Sequence, residues 1–225
     1  MLAVLLLTLI AALVPPTLVT NAFRLLATET FVRAELGRDG FPPDRYGLPD
    51  DERERLALVG LRSIEPGSQG IELLERERLP DGEGAFTERE LSHMDDVRSI
   101  FGALLRGQLI VLGGLVFLGL ALARTRQRTL VPRGLLSGAV ATLGVAALAV
   151  PFVLLGFDRF FTRFHELFFK GDSWRFSTRD TLIRIYPEQL WQDISILVAM
   201  LTVVQAVGLA IVARWWVRRA CPPGR

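Results

Sequence analysis

Long stretches without charged residues divide this chain into apolar and polar parts. Residues 1–23, 107–123, 134–157 and 194–213 contain no Asp, Glu, Lys or Arg. An α-helix needs about 20 predominantly apolar residues to cross a hydrocarbon core of ~30 Å. The pattern therefore predicts four transmembrane helices, in agreement with a composition that is 50% hydrophobic.

Charge is distributed unevenly between the polar segments, although the formal net charge is only +2. Segment 28–99 contains 18 acidic residues against 10 arginines, whereas segment 124–133 contains four arginines and no acid. The residues after the last apolar stretch include arginines and again no acid. Lys and Arg concentrate in cytoplasmic loops, so we expect both termini in the cytoplasm and segment 28–99 outside the cell membrane.

The first apolar stretch has a second interpretation, a cleaved signal peptide. It lacks a basic leading region and a small-x-small cleavage site, and it contains the pair Pro15-Pro16. Two prolines are typical of a kinked membrane helix. We therefore expect the stretch to be retained as a transmembrane helix.

The expected fold class is an all-α membrane protein with four transmembrane helices and a small, mainly helical extracellular cap. In the cap, DDERERLALVGLRSIE and GIELLERERL have the apolar spacing of short amphipathic helices, while ETFVRAEL fits an edge strand or a helix end. The predicted boundaries are transmembrane helix 1 at 1–27, the cap at 28–99, transmembrane helix 2 at 100–123, a cytoplasmic loop at 124–133, transmembrane helix 3 at 134–157, an extracellular aromatic-rich segment at 158–193, transmembrane helix 4 at 194–216 and a cytoplasmic tail at 217–225.

The chain has two histidines, and both lie beside predicted outer ends of transmembrane helices. His93 follows the capping-box pair Thr87 and Glu90, which predicts a helix that begins near residue 88 and continues into the second transmembrane helix. His165 lies just beyond the third transmembrane helix. At 1.5 Å of rise per residue, both imidazoles are expected roughly 10 Å outside the apolar boundary, on the same side.

Phenylalanines surround His165 in the sequence FTRFHELFF. If the third transmembrane helix continues past residue 157, His165 lies at the margin of one stripe with helical spacing, made of Phe157, Phe160, Phe161, Phe164 and Phe168. An interfacial aromatic belt explains the phenylalanines alone. The second histidine favours a reactive site, because an imidazole with an unperturbed pKa of about 6.5 can act as general acid or general base.

Other polar residues are candidates to assist the histidines. Asp96 lies one helical turn after His93 and could accept its ring N–H. Asp172 reaches His165 only if the chain turns back after Gly171. Arg106 lies within an apolar stretch, where an arginine is a functional candidate by default, although it could also snorkel towards the outer headgroups.

A metal site is an alternative use of the same residues. His93, His165 and a carboxylate such as Glu166 or Asp96 would make a two-histidine, one-carboxylate zinc site. However, HELFF lacks the second histidine of the HExxH motif. No G-x-S-x-G elbow is present, which argues against a serine hydrolase. We expect neither a metal nor another cofactor.

Two segments, ERELSHMDDVRSIF and FHELFFKGDSWRFSTRDTLIRIYPEQLWQD, resemble the bacterial integral membrane family of lipoprotein intramolecular transacylases (Lit). The matching positions are Glu90, His93, Met94, Asp96, Val97, Phe164, His165, Phe168, Phe169, Asp172, Trp174, Phe176, Asp180, Leu182, Ile183, Pro187 and Glu188. The resemblance implies a four-helix membrane enzyme with two catalytic histidines, His93 and His165. It also implies transfer of the sn-2 acyl chain of a diacylglyceryl-cysteine lipoprotein to its own N-terminal amine, which gives a lyso-form lipoprotein.

This interpretation assigns further roles and partners. The supporting residues would be Asp96, Glu90, Asp172 and Asp180, and the substrate-binding residues would be Phe164, Phe168, Phe169, Trp174, Phe176 and Arg106. The expected partners are a diacylated lipoprotein substrate and membrane lipids, with no nucleic acid. A non-catalytic membrane protein that binds a lipid or partner through its cap, and a metal-dependent membrane hydrolase, remain the alternatives.

Overall fold

The computed structural model describes residues 1–220, and its regular elements are helices. Within these residues four helices are long and apolar enough to cross a membrane, namely α1 (Leu2–Leu26), α5 (Glu88–Leu122), α6 (Leu130–Leu155) and α9 (Glu188–Ala220). The shorter helices are α2 (Glu29–Leu36), α3 (Asp50–Ile64), α4 (Glu72–Glu75), α7 (Phe157–Phe168) and α8 (Thr181–Ile185). The predicted fold class, an all-α membrane protein with four spanning helices, is confirmed.

Local sequence signals explain several helix ends. The backbone N–H of Thr87 donates to the carboxylate of Glu90, and the N–H of Glu90 donates to the Thr87 hydroxyl, so the predicted capping box is formed. Helix α5 begins at the next residue after Thr87 and continues without a break into its apolar part. The segment ETFVRAEL forms α2, with the hydroxyl of Thr28 accepting from the N–H of Phe31 as the N-cap.

The third spanning helix ends at Leu155, so the phenylalanines from Phe157 onward belong to a separate helix and not to a continuation of it. Helix α6 ends at Leu155, and Gly156, with φ −158° and ψ 50°, separates it from α7. Glycine is unfavourable in a helix interior and permits such a break. At the other end of the chain, α9 begins directly after Pro187, and the last five residues of the predicted tail lie outside the described residues.

The first of two compact units combines residues 1–23 and 105–154 with the described part of 196–225. In this unit α1 and α6 approach closely, because a Cβ added at Gly138 would lie 2.6 Å from Val14 and 2.8 Å from the carbonyl oxygen of Ala11. Small residues permit such close packing between membrane helices. Pro15 lacks the N–H that would normally bond this carbonyl, so Gly138 approaches α1 where its hydrogen-bond ladder is interrupted.

The second unit combines residues 24–104 and 155–195 and contains the polar helices. Its α3 packs against α2, α4 and α8. The guanidinium of Arg184 forms a largely buried ion pair with Asp44 at 3.1 Å, and the buried Arg53 donates to the carbonyl oxygen of Arg184. Gly60 leaves room for Tyr186, whose hydroxyl would lie 2.4 Å from an added Cβ. We call these five residues the α3–α8 frame.

Candidate active site

The two histidine rings lie side by side within the second unit. Their centroids are 6.4 Å apart and their planes are inclined by 22°. His93 lies in the polar N-terminal part of α5, before the apolar span, and His165 lies in the last turn of α7. Because the residues are 72 positions apart, tertiary structure brings them together. A single substrate group between the rings would be within contact distance of both.

The tautomer of His165 is set by its own helix. Its Nδ1 lies 2.8 Å from the carbonyl oxygen of Phe161, one turn earlier. Since a carbonyl oxygen can only accept, Nδ1 carries the proton and Nε2 retains a lone pair. Burial lowers the pKa of His165, and the hydrogen bond to Phe161 only partly opposes this effect. His165 is therefore neutral at pH 7, with a basic Nε2.

His93 is more deeply buried than His165. It is 9% exposed, and its Nδ1 has no hydrogen-bond partner within residues 1–220. Burial lowers the pKa of His93 to about 4, with the neighbouring His165 as a second cause. An unpaired buried polar group costs about 1–3 kcal/mol. Such a cost is typical of a functional site, where strained or unsatisfied groups are retained for a ligand.

Three aromatic side chains enclose the histidine pair. The ring centroid of Phe169 lies 4.6 Å from that of His93 and 5.4 Å from that of His165. Phe176 contacts His93 edge-on at 5.3 Å, and Trp174 lies 4.8 Å from His165. We call these five residues the histidine cluster. Its apolar walls account for the lowered pKa values, because burial disfavours a charged imidazole.

The phenylalanines of α7 do not form one uniform stripe. Phe157 is buried, and Phe161 lies 4.0 Å from the ring of His165, so this side of α7 faces the cluster. Phe164 and Phe168 are 48% and 40% exposed. Phe164 contacts His165 at 5.5 Å, but Phe168 contacts Phe164 rather than either histidine. Of the predicted substrate-binding phenylalanines, these two lie on the exposed side.

Glu90 joins the helix that carries His93 to the end of the aromatic segment. Its side chain is buried at 1% exposure, and one carboxylate oxygen accepts the backbone N–H of Leu182 at 2.7 Å. The other oxygen accepts from both the N–H and the hydroxyl of Thr87. The carboxylate of the capping box thus also makes a tertiary contact between α5 and the start of α8.

Arg89 is a residue that the sequence interpretation missed. Its guanidinium donates to the backbone carbonyl oxygens of Asp172 and Arg175 and lies 5.3 Å from the ring centroid of Phe176. Arg89 therefore holds the first half of the loop 170–180 against α5. Glu90 holds the chain just after this loop, through its hydrogen bond with Leu182. The only sequence signal for Arg89 was its place beside Glu90 in ERELSH, since its partners are 83 and 86 positions away.

The remaining predicted carboxylates do not reach the histidine rings. Asp96 is exposed and makes no hydrogen bond to His93, so the predicted orienting contact is wrong: His93 turns into the aromatic cluster while Asp96 turns to solvent. The Asp172 carboxylate is 76% exposed, and this residue instead contributes its carbonyl oxygen to the loop. Asp180 accepts the N–H of Ser177 at 2.7 Å and closes the turn before α8.

Two other candidates have exposed positions or other partners. Arg106 is exposed and belongs to the first unit, whereas both histidines belong to the second. Glu166, the carboxylate of the metal alternative, forms an ion pair with Arg163 at 2.8 Å. Within the described part of the chain, no three His, Cys, Asp or Glu side chains come close enough together to hold a metal ion.

The fold and the cluster together define a class of protein. Two neighbouring imidazoles lie in an aromatic enclosure, on a chain with four helices that are long and apolar enough to cross a membrane. The protein-family model for the lipoprotein intramolecular transacylase Lit matches residues 71–191, which is more than half of the chain and includes both histidines. The chain belongs to the Lit family and is a membrane transacylase.

Individual proteins are also similar to this chain. A protein of Aquifex aeolicus (strain VF5) described as uncharacterized is 33% identical over 180 residues, which cover 80% of this chain and 79% of that one. The structure of the membrane-integral Lit of Bacillus cereus matches with a TM-score of 0.76 at 16% identity, covering 97% of each chain. Its histidine-to-alanine variant matches at 0.60 and 20% identity over 94% of this chain and 93% of that one. At these identities the two structures show a shared fold.

Proposed function

We propose that this protein transfers the sn-2 acyl chain of a diacylglyceryl-cysteine lipoprotein to the α-amino group of the same cysteine, leaving a lyso-form lipoprotein. Family membership supports the reaction class. The observation that carries the assignment of His93 and His165 as the catalytic pair is the 6.4 Å separation of their ring centroids within an aromatic enclosure.

Ester aminolysis requires the movement of one proton. The attacking amine loses it, and the departing glycerol oxygen gains it. His165 suits the base, because its Nδ1–H donates to the Phe161 carbonyl and leaves Nε2 free to accept a proton. The proton that His165 takes up is then given to the departing glycerol oxygen, and His93, which stays neutral at pH 7, can hydrogen-bond this oxygen as it leaves. General acid–base catalysis of this kind contributes about 10²- to 10⁴-fold.

Positioning is the second contribution of the cluster. The ester and the amine belong to one molecule, and well-oriented intramolecular reactions reach effective molarities of ~10⁵ M or more. Phe169, Trp174 and Phe176 enclose the histidines. Walls of this kind confine an acyl chain and exclude water, which would otherwise hydrolyse the ester. Glu90 and Arg89 keep the loop that carries two of these walls against α5.

The orientation belongs to the same proposal. The arginines of residues 124–133, without any acid among them, favour a cytoplasmic position for that loop. Both termini are then cytoplasmic, and the second unit is the extracellular cap. A diacylated lipoprotein, anchored in the outer leaflet by its acyl chains, would present its modified cysteine on that side of the membrane.

Mass spectrometry of a lipoprotein tests the proposal. The chain is expressed in a host that makes diacylated lipoprotein, and the N-terminal lipopeptide is analysed for acyl migration to nitrogen. We expect transfer by the unmodified chain and by an Arg163→Gln control, whose side chain is 83% exposed. His93→Ala and His165→Ala should each reduce transfer at least about 100-fold. Undiminished transfer by both histidine variants would remove the catalytic assignment.

The same experiment tests the non-catalytic alternative. A protein that only binds a lipid or a partner through its cap would leave the lipopeptide with its original ester-linked acyl chains. In that case the unmodified chain and both histidine variants would give the same mass and the same fragment ions.

A further inference from the structure

Two polar groups in the loop over the histidines are buried and unpaired. The indole N–H of Trp174 and the hydroxyl of Ser173 have no hydrogen-bond partner within the described residues. Trp174 is only 8% exposed, and its ring centroid lies 4.8 Å from that of His165. An indole nitrogen can only donate a hydrogen bond. The indole N–H therefore lacks an acceptor, and an oxygen atom of a bound substrate would supply one.

The proposed reaction generates such an acceptor. The amine nitrogen attacks the ester carbonyl carbon, a C–N bond forms, and the π electron pair moves onto the carbonyl oxygen, which becomes an oxyanion. When the C=O bond re-forms, the C–O bond to glycerol breaks, and the proton lost by the amine reaches the glycerol oxygen through the histidines. The two imidazoles account for the proton, but the oxyanion still requires a hydrogen-bond donor.

We propose that the indole N–H of Trp174 is this oxyanion donor, assisted by the hydroxyl of Ser173. The inference rests on the proposed acyl transfer and adds a catalytic group to it. Preorganised donors in a water-excluded site stabilise developing charge strongly, and loss of one donor typically costs about 10²- to 10³-fold in kcat.

The surroundings of Trp174 favour this role over simple packing. The guanidinium of Arg175 lies 5.1 Å from the indole centroid and 3.3 Å from the Asp172 carboxylate, so it covers the ring by a cation–π contact and already has an acceptor of its own. Arg89, the other nearby cation, already donates to the carbonyl oxygens of Asp172 and Arg175. Trp174 ends the turn 171–174, where Gly171 has φ 59°, and the two hydrogen bonds from Arg89 hold this loop, so the donor is positioned before an ester binds.

The test replaces the donor while keeping the aromatic ring. Trp174→Phe should lower kcat for acyl transfer about 100-fold or more, with KM changed less than about threefold. The midpoint of thermal unfolding should change no more than it does for Trp174→Tyr, because both replacements leave a similar space where the indole was. Trp191→Phe is a matched control, since both tryptophan rings lie 6.4 Å from Phe161. This control should keep its kcat.

Two further variants give the inference a graded readout. Trp174→Tyr retains an O–H donor on the ring and should recover at least about tenfold of the kcat lost by Trp174→Phe, because it restores one donor. Ser173→Ala should lower kcat by about tenfold, as expected for a second, weaker donor. Equal kcat values for the Phe and Tyr variants would overturn the inference. A loss of activity by Trp174→Phe that is matched by an unfolding midpoint well below that of Trp174→Tyr would also overturn it.

The outcomes separate this inference from the proposed function on which it rests. If Trp174→Phe transfers acyl chains at the unmodified rate, the oxyanion assignment is wrong whatever the histidine variants do. If His93→Ala and His165→Ala remain active while Trp174→Phe loses activity, the acid–base pair is wrong and the donor assignment stands.

Discussion

The α3–α8 frame and the histidine cluster lie in the same unit but differ in how their buried polar groups are satisfied. In the frame, Arg184 pairs with Asp44, and Arg53 donates to a backbone carbonyl. In the cluster, Nδ1 of His93 has no partner within the described residues, and neither has the nearby Trp174 N–H. The paired polar groups of the frame stabilise the fold, whereas the unpaired groups of the cluster are those that we propose a substrate uses.

The largest effect is expected in the frame, at Asp44. Asp44→Ala leaves the Arg184 guanidinium without its partner, and breaking one side of a buried ion pair costs about 3–5 kcal/mol. The free energy of unfolding in detergent measures this loss. A control, Glu72→Ala, removes an exposed ion pair with Arg76 and should change stability by less than about 1 kcal/mol. Equal losses in the free energy of unfolding would show that the Asp44–Arg184 pair stabilises the protein no more than an exposed ion pair does.

A second prediction concerns the close contact at Gly60. An added methyl group would lie 2.4 Å from the hydroxyl of Tyr186, which donates to the carbonyl oxygen of Ala57. Gly60→Ala should therefore displace Tyr186 and destabilise the protein by about 1–3 kcal/mol, although alanine is otherwise favoured in helices by about 1 kcal/mol. Chemical unfolding of this variant measures the net change in the free energy of unfolding. A gain in stability would contradict the close contact between Gly60 and Tyr186.

The third prediction separates stability from activity at Arg89. Arg89→Gln removes the charged donor to the carbonyl oxygens of Asp172 and Arg175 and frees the loop that carries Trp174. Because Arg89 is exposed, the unfolding midpoint should change little, whereas kcat should fall roughly tenfold through loss of positioning. Arg89→Lys, which cannot hold both carbonyls in the same geometry, should recover only part of the rate. An unchanged kcat for Arg89→Gln would show that these two hydrogen bonds do not position the loop for catalysis.

The smallest effect is a pH dependence of stability. In the folded protein the pKa of His93 is lowered to about 4, and that of His165 is also lowered, so the unfolded chain binds more protons below pH 6.5. Stability should be full above about pH 6.5 and fall as the pH decreases towards 4. The unfolding midpoint should drop by a few degrees between pH 7.5 and pH 5, and His93→Phe should show a smaller drop. The same drop in both proteins would contradict the lowered pKa.

Part of this organisation follows from local sequence. Charge-free stretches predict the four spanning helices, and the pair Thr87 and Glu90 predicts where α5 begins. The meeting of the histidines was also predictable, because both lie a similar number of residues from an apolar boundary. These signals depend only on numbers of residues along the chain, which can be counted in the sequence.

Other features depend on burial and on distant partners. Gly156 permits the break before α7, but the apolar run continues through it to Phe157, so the hydrophobic pattern does not show where the helix ends. The spacing of His93 and Asp96 suggests a contact, yet only the tertiary structure shows that one side chain is buried and the other exposed. The unpaired state of the Trp174 N–H is likewise a property of the folded cluster.

Acyl-transfer rates of a double variant test the central claim most directly. The rates of His93→Ala, His165→Ala and the double variant are measured on the same diacylated lipopeptide in detergent micelles. If the two imidazoles act as one catalytic unit, the double variant should be no slower than the slower single variant, as found for groups that act together. Losses that multiply in the double variant, or single variants as fast as the unmodified chain, would contradict a shared site.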